Sequence, residues 1–100
     1  MSVIVFGKMT CDPAAVEKAW ADHKADFEGV AKTAKAAGAL HHRWGFGDGF
    51  VSILDEWPDA TSFQEFFSTN DVIPTLMQAA GVTGPPEFTI VEAVKGPDEF

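Results

Sequence analysis

The stretch ALHHRWGFGDGFVSILDEW, residues 39–57, decides the fold. Two runs with apolar or aromatic residues at alternate positions, 39–46 and 50–57, flank Gly47-Asp48-Gly49. Such alternation marks strands, and Asp-Gly between two strands is a strong hairpin signal because both turn positions favour positive φ. Residues 39–57 are therefore read as an antiparallel hairpin in the middle of the chain. Gly45-Phe46-Gly47-Asp48-Gly49 is not a phosphate loop, since it leads into a strand and not a helix.

On the N-terminal side, Val3 to Met9 is β-branched and aromatic and reads as a strand. Asp12-Pro13 then supplies a cap and a first helical residue. Val16, Trp20, His23, Phe27, Val30 and Ala34 recur at intervals of three and four, which predicts one amphipathic helix running to about Ala37, with Gly38 as its stop. On the C-terminal side, Pro58 ends the hairpin. A second helix is expected from Thr61 or Ser62, with Ser62 and Glu65 as a capping box and a break near Asn70 to Pro74. Gly84-Pro85-Pro86 reads as a loop, Phe88 to Val94 as the last strand, and residues 95–100 as a polar tail.

The order is βαββαβ within a single domain spanning 1–100, which predicts a ferredoxin-like α+β layer with a four-stranded antiparallel sheet. Both helices should cover one face of that sheet and leave the other needing a partner. One hundred residues suffice for one core, and 46% hydrophobic with 22% charged residues is ordinary globular composition. A net charge of −8 opposes binding to nucleic acid or to anionic membrane surfaces. No apolar run approaches a membrane span and no leader pattern is visible, so a cytoplasmic protein is expected. One cysteine, Cys11, excludes an internal disulfide and any cysteine-based metal cage.

His41 and His42 are adjacent but are not a pair, because successive strand side chains point to opposite faces. If Asp48-Gly49 is a two-residue turn, His42 falls opposite Asp55 and His41 opposite Glu56; a three-residue loop would shift each pairing by one. A carboxylate beside each imidazole suits a structural ion pair or an acid–base dyad. His42 shares a face with Trp44, whereas His41 and Arg43 point toward the face that needs a partner. No metal site is expected, since neighbouring strand histidines cannot ligate one ion together.

The stretch Ile53-Leu54-Asp55-Glu56-Trp57-Pro58 followed by Ser62-Phe63-Gln64-Glu65-Phe66 resembles the antibiotic biosynthesis monooxygenase group of the dimeric α+β barrel superfamily. The resemblance covers nearly the whole chain. It implies a homodimer closed through the sheet faces, with a ligand cleft between helices and sheet in each subunit. Known members include cofactor-independent oxygenases and haem-degrading enzymes. The haem-degrading residues are missing here: no Asn lies near Phe6-Gly7, Phe66 stands where a Trp is expected, and residues 62–82 contain no histidine. The Asn-Trp-Tyr-Arg set of the polyketide oxygenases is also missing, since the chain has no Tyr and only one Asn.

With the cleft placed there, His23 is the first candidate base and His42 the second. Trp20, Phe27, Trp44 and Phe66 are expected to line a pocket for a small apolar or aromatic molecule, while Phe63 and Phe67 read as core. No cofactor is expected. The expected activity is a cofactor-independent monooxygenase or isomerase; the alternative is a non-catalytic ligand-binding or stress-response dimer.

Overall fold

A computed structural model describes residues 1–100 and gives the order β1 (Val3–Thr10), α1 (Pro13–Asp22), α2 (Lys24–Ala36), β2 (His41–Phe46), β3 (Phe50–Trp57), α3 (Ala60–Thr69), α4 (Val72–Ala79) and β4 (Thr83–Glu92). Four antiparallel strands lie in the order β2-β3-β1-β4, and the ferredoxin-like α+β layer is as expected. Each expected helix is present as two pieces. No helix is long and apolar enough to cross a membrane.

The hairpin register is the one a two-residue turn dictates. His42 lies opposite Asp55, His41 opposite Glu56, and the Gly47 amide donates to the Phe50 carbonyl at 2.9 Å. The turn itself differs from expectation. Gly49 takes φ +79°, but Asp48 keeps a negative φ, so only one turn position uses the left-handed region.

Local chemistry also changes several boundaries. The first helix is not continuous: His23, at φ −126° and ψ 33°, leaves helical geometry and separates α1 from α2. The cap of α3 is Asp59 and not Ser62, for the Asp59 carboxylate accepts from the Ser62 amide at 2.7 Å. The break after Thr69 is where Asn70 places its side-chain oxygen 3.0 Å from the amides of both Val72 and Ile73. Gly84-Pro85-Pro86 belongs to β4 and not to a loop. Pro85 and Pro86 fall in the irregular stretch of this edge strand between the pairs Lys8–Glu87 and Thr10–Thr83, where the register shifts and neither proline has a ladder partner. At Gly38, φ is +111°; the Gly38 amide bonds to the Lys35 carbonyl and the Ala39 amide to the Ala34 carbonyl, which ends α2 in a Schellman motif.

The helices cover one sheet face. Across that face run two rows, His42–Asp55–Val5–Ile90 and Trp44–Ile53–Gly7–Phe88. One buried cluster joins Val5, Trp57 and Phe63, and another joins Met9, Cys11, Val16, Ala19, Val51 and Ala80. Only 12 of 100 residues are buried, so much of the apolar side-chain surface borders a hollow instead of a solid core. The opposite face carries Phe6 paired with Leu54, and Ile4 paired with Val91; Phe6, Leu54 and Val91 are all exposed.

Candidate functional site

The hollow between helices and sheet is a cavity of about 590 Å³, lined by 26 residues of which 21 are hydrophobic. Trp20, Phe27, Trp44 and Phe66 all line it, as the helical and strand periodicities predict. Their mutual packing gives it flat walls. The Trp20 ring lies edge-on to Trp44 at 5.5 Å and stacks on Phe46 at 5.4 Å. Phe66 packs against Trp57 at 5.2 Å. Phe63 and Phe67, read as core, pack against Phe88 and also border the cavity.

The floor holds one feature that only a glycine permits. A Cβ on Gly7 would stand 2.7 Å from Ile53 Cγ1 and 2.8 Å from Phe88 Cε1. Those two side chains lean across the central strand from either side, and both line the cavity. A larger residue at position 7 would drive them into it.

The five polar lining residues are Glu28, Lys35, His41, His42 and Asp55. All but Asp55 are solvent-exposed, and with Ala31 and Leu40 they are the only exposed lining residues. They lie on α2 and at the start of β2, so the mouth opens between those two elements. His41 reaches this rim from the strand's first residue, although the pleat aims it away from His42.

At the mouth, His42 and Asp55 form the site's polar centre. His42 Nδ1 lies 2.6 Å from Asp55 Oδ1, and the Trp57 indole Nε1 donates to Asp55 Oδ2 at 3.1 Å. Asp55 is 6% exposed and is the one buried charged group. A carboxylate accepts, so Nδ1 carries the proton in this pair, and Nε2 is left free for exchange with a guest. The His42 ring stands edge-on to Trp44 at 5.6 Å, which holds the imidazole against the aromatic wall.

His23 does not join them. It is absent from the cavity lining, and its side chain is 37% exposed, with Nδ1 3.5 Å from Asp26 Oδ2. The expectation that it borders the cleft rested on one unbroken helix. His23 is the non-helical residue between α1 and α2, so the helical spacing of Trp20 and Phe27 does not extend to it. Asp55 was legible only as a pairing partner, and Trp57 was missed. The signal for both was their i,i+2 spacing on β3, which puts the two side chains on the same buried face.

Cys11 is buried, and burial, with the neighbouring Asp12 charge, pushes its thiol pKa up. That leaves it a core residue and not a nucleophile. No group of three or more His, Cys, Asp or Glu side chains is placed to hold a metal ion.

No family model and no curated protein matches the chain in sequence. Solved structures do match its fold. An antibiotic biosynthesis monooxygenase superposes with TM-score 0.65 at 13% identity, covering 93% of this chain and 99% of the other. A mutant of SnoaB, a cofactor-independent oxygenase from Streptomyces nogalater, gives 0.63 at 15% identity over 98% of each chain. The ActVA-Orf6 monooxygenase of Streptomyces coelicolor, in complex with nanaomycin D, gives 0.66 at 16% identity, covering 95% of this chain and 89% of that one. At these identities the likeness is one of architecture: the protein has the ferredoxin-like α+β fold of the antibiotic biosynthesis monooxygenase proteins.

Proposed function

We propose that the protein binds a flat, apolar or aromatic small molecule in this cavity and oxidises it with molecular oxygen, without a cofactor, using His42 as the base. One observation carries the reading. A buried carboxylate, Asp55, holds His42 at the polar mouth of a cavity whose remaining lining is almost wholly apolar. Support comes from the shared fold with SnoaB, a cofactor-independent oxygenase, and with ActVA-Orf6, a monooxygenase found with nanaomycin D.

The chemistry needs few groups. A ring CH₂ flanked by two aryl rings, and conjugated through them to the carbonyl opposite, loses one proton to His42 Nε2, and Asp55 stabilises the imidazolium that forms. The electron pair left on carbon adds to O₂ and becomes a peroxide, which takes the proton back from His42. Loss of the second C–H proton with cleavage of the O–O bond releases water and leaves a carbonyl. Carbon is oxidised and O₂ is reduced, one oxygen atom going to the product and one to water. Trp20, Trp44, Phe27 and Phe66 serve as walls for the ring system.

The chain acts as a homodimer in this reading, joined through the apolar sheet face that carries Phe6, Leu54 and Val91. A net charge of −8 opposes association with nucleic acid or an anionic membrane, and the reading puts the protein in the cytoplasm.

The test uses a hydroxylated anthrone. Under anaerobic conditions it should quench the fluorescence of Trp20 and Trp44, and admitting oxygen should then produce quinone absorbance faster than in buffer. Quenching without quinone would leave the non-catalytic binding protein as the reading. The absence of both would remove the aromatic ligand as well.

A further inference from the structure

We propose that Trp57 is a positioning residue for the His42–Asp55 pair, its indole N–H fixing the carboxylate that in turn orients the His42 ring. The inference rests on the reading of His42 as base.

The geometry is specific. Asp55 offers two oxygens, and each has one partner: Oδ1 meets His42 Nδ1 at 2.6 Å, and Oδ2 accepts from Trp57 Nε1 at 3.1 Å. At 6% exposure, Asp55 has little water to substitute for either. With both oxygens engaged the carboxylate cannot turn about its own axis, so the line of the Nδ1–H bond is fixed, and with it the direction of Nε2. Trp57 is a rigid anchor for this purpose. It is 1% exposed, and its ring is held between Phe63 at 5.8 Å and Phe66 at 5.2 Å. Residues 55 and 57 share a face of β3, so the indole reaches back one pleat to the carboxylate without leaving the core.

A purely structural role for Trp57 predicts something different. A core indole needs an acceptor of any kind for its N–H, and deleting that N–H would then lower stability without touching His42. Placing the donor on the one buried carboxylate, whose other oxygen holds the candidate base, links the two.

Trp57→Phe separates these roles, because it keeps an aromatic ring between Phe63 and Phe66 and removes only the donor. Without it, kcat for anthrone oxidation should fall about tenfold while KM changes by less than about twofold. The wild type should show a downfield Nδ1–H resonance for His42, and in Trp57→Phe this resonance should broaden away. An unchanged His42 resonance would overturn the inference whatever the activity. A second measurement avoids mutating the core. The chain has three tryptophans and therefore three indole N–H signals. His42→Gln should move the Trp57 signal and leave that of Trp20 in place; a stationary Trp57 signal would equally overturn the inference. If the wild type shows no turnover, the enzymatic reading fails on its own, while both resonance measurements still decide whether Trp57 positions the pair.

Discussion

Gly7 lies in the sheet beneath the cavity and Gly29 on the solvent side of α2 above it, and a methyl group added at each meets opposite surroundings. Above Gly7, in the sheet that forms the floor, Ile53 and Phe88 already occupy the space within 3 Å. Around Gly29, in the α2 roof, nothing lies within 4 Å. The floor is close-packed and carries the His42–Asp55–Trp57 arrangement on adjacent strands. α2 has no buried side chain, and contributes Phe27, Val30 and Ala34 only as partly buried lining. Precision in the site therefore comes from the sheet, and the roof supplies enclosure.

This contrast can be broken most sharply at Trp57. Trp57→Ala should cost about 3–5 kcal/mol in urea unfolding, the range for deleting a buried aromatic. Phe27→Ala, on the roof, should cost less than half of that. Similar losses at the two positions would mean that α2 is as firmly packed as the floor. Gly7→Ala comes next: overpacking Ile53 and Phe88 should cost about 1–3 kcal/mol and shrink the space open to a tricyclic ligand, weakening its binding. Gly29→Ala should act in the opposite direction and stabilise by about 0.5–1 kcal/mol, because an exposed helical site gains propensity and meets no neighbour.

The smallest effect is one of pH and lies outside both walls. The Asp59 carboxyl is held below its usual pKa by the Ser62 amide it caps. A depressed folded-state pKa means that its contribution is complete above the unfolded value of about 3.9 and disappears as pH falls through the lower folded value. Asp59→Ala should thus lower Tm at neutral pH, and the difference from wild type should close in strong acid. A difference that persists there would assign the effect to something other than the charged cap.

How far the sequence could be read follows the same division. Along β2 and β3 the period of two, with Asp48-Gly49 as the turn, was enough to pair His42 with Asp55, since register leaves no freedom once the turn is chosen. Along α1 and α2 the period of three to four correctly placed Trp20 and Phe27 on the cavity side. It failed for His23, because periodicity presumes an unbroken helix and carries no signal of the turn that breaks it. The Asp59 cap was missed in favour of Ser62 for a related reason. Both residues make good caps, and only the position of the first turn chooses between them. Trp57 lies two residues from Asp55 and so shares its strand face, but its hydrogen bond to Asp55 depends on a side-chain rotation that spacing does not encode.

If the floor and not the roof carries the chemistry, the two histidines must differ. Oxygen uptake with a hydroxylated anthrone should be measured for wild type, His42→Gln and His23→Gln under identical conditions. His42→Gln should lower the rate by on the order of a hundredfold, the scale of a lost general base, while His23→Gln should leave it nearly unchanged. Loss of activity in His23→Gln with retention in His42→Gln would contradict this assignment.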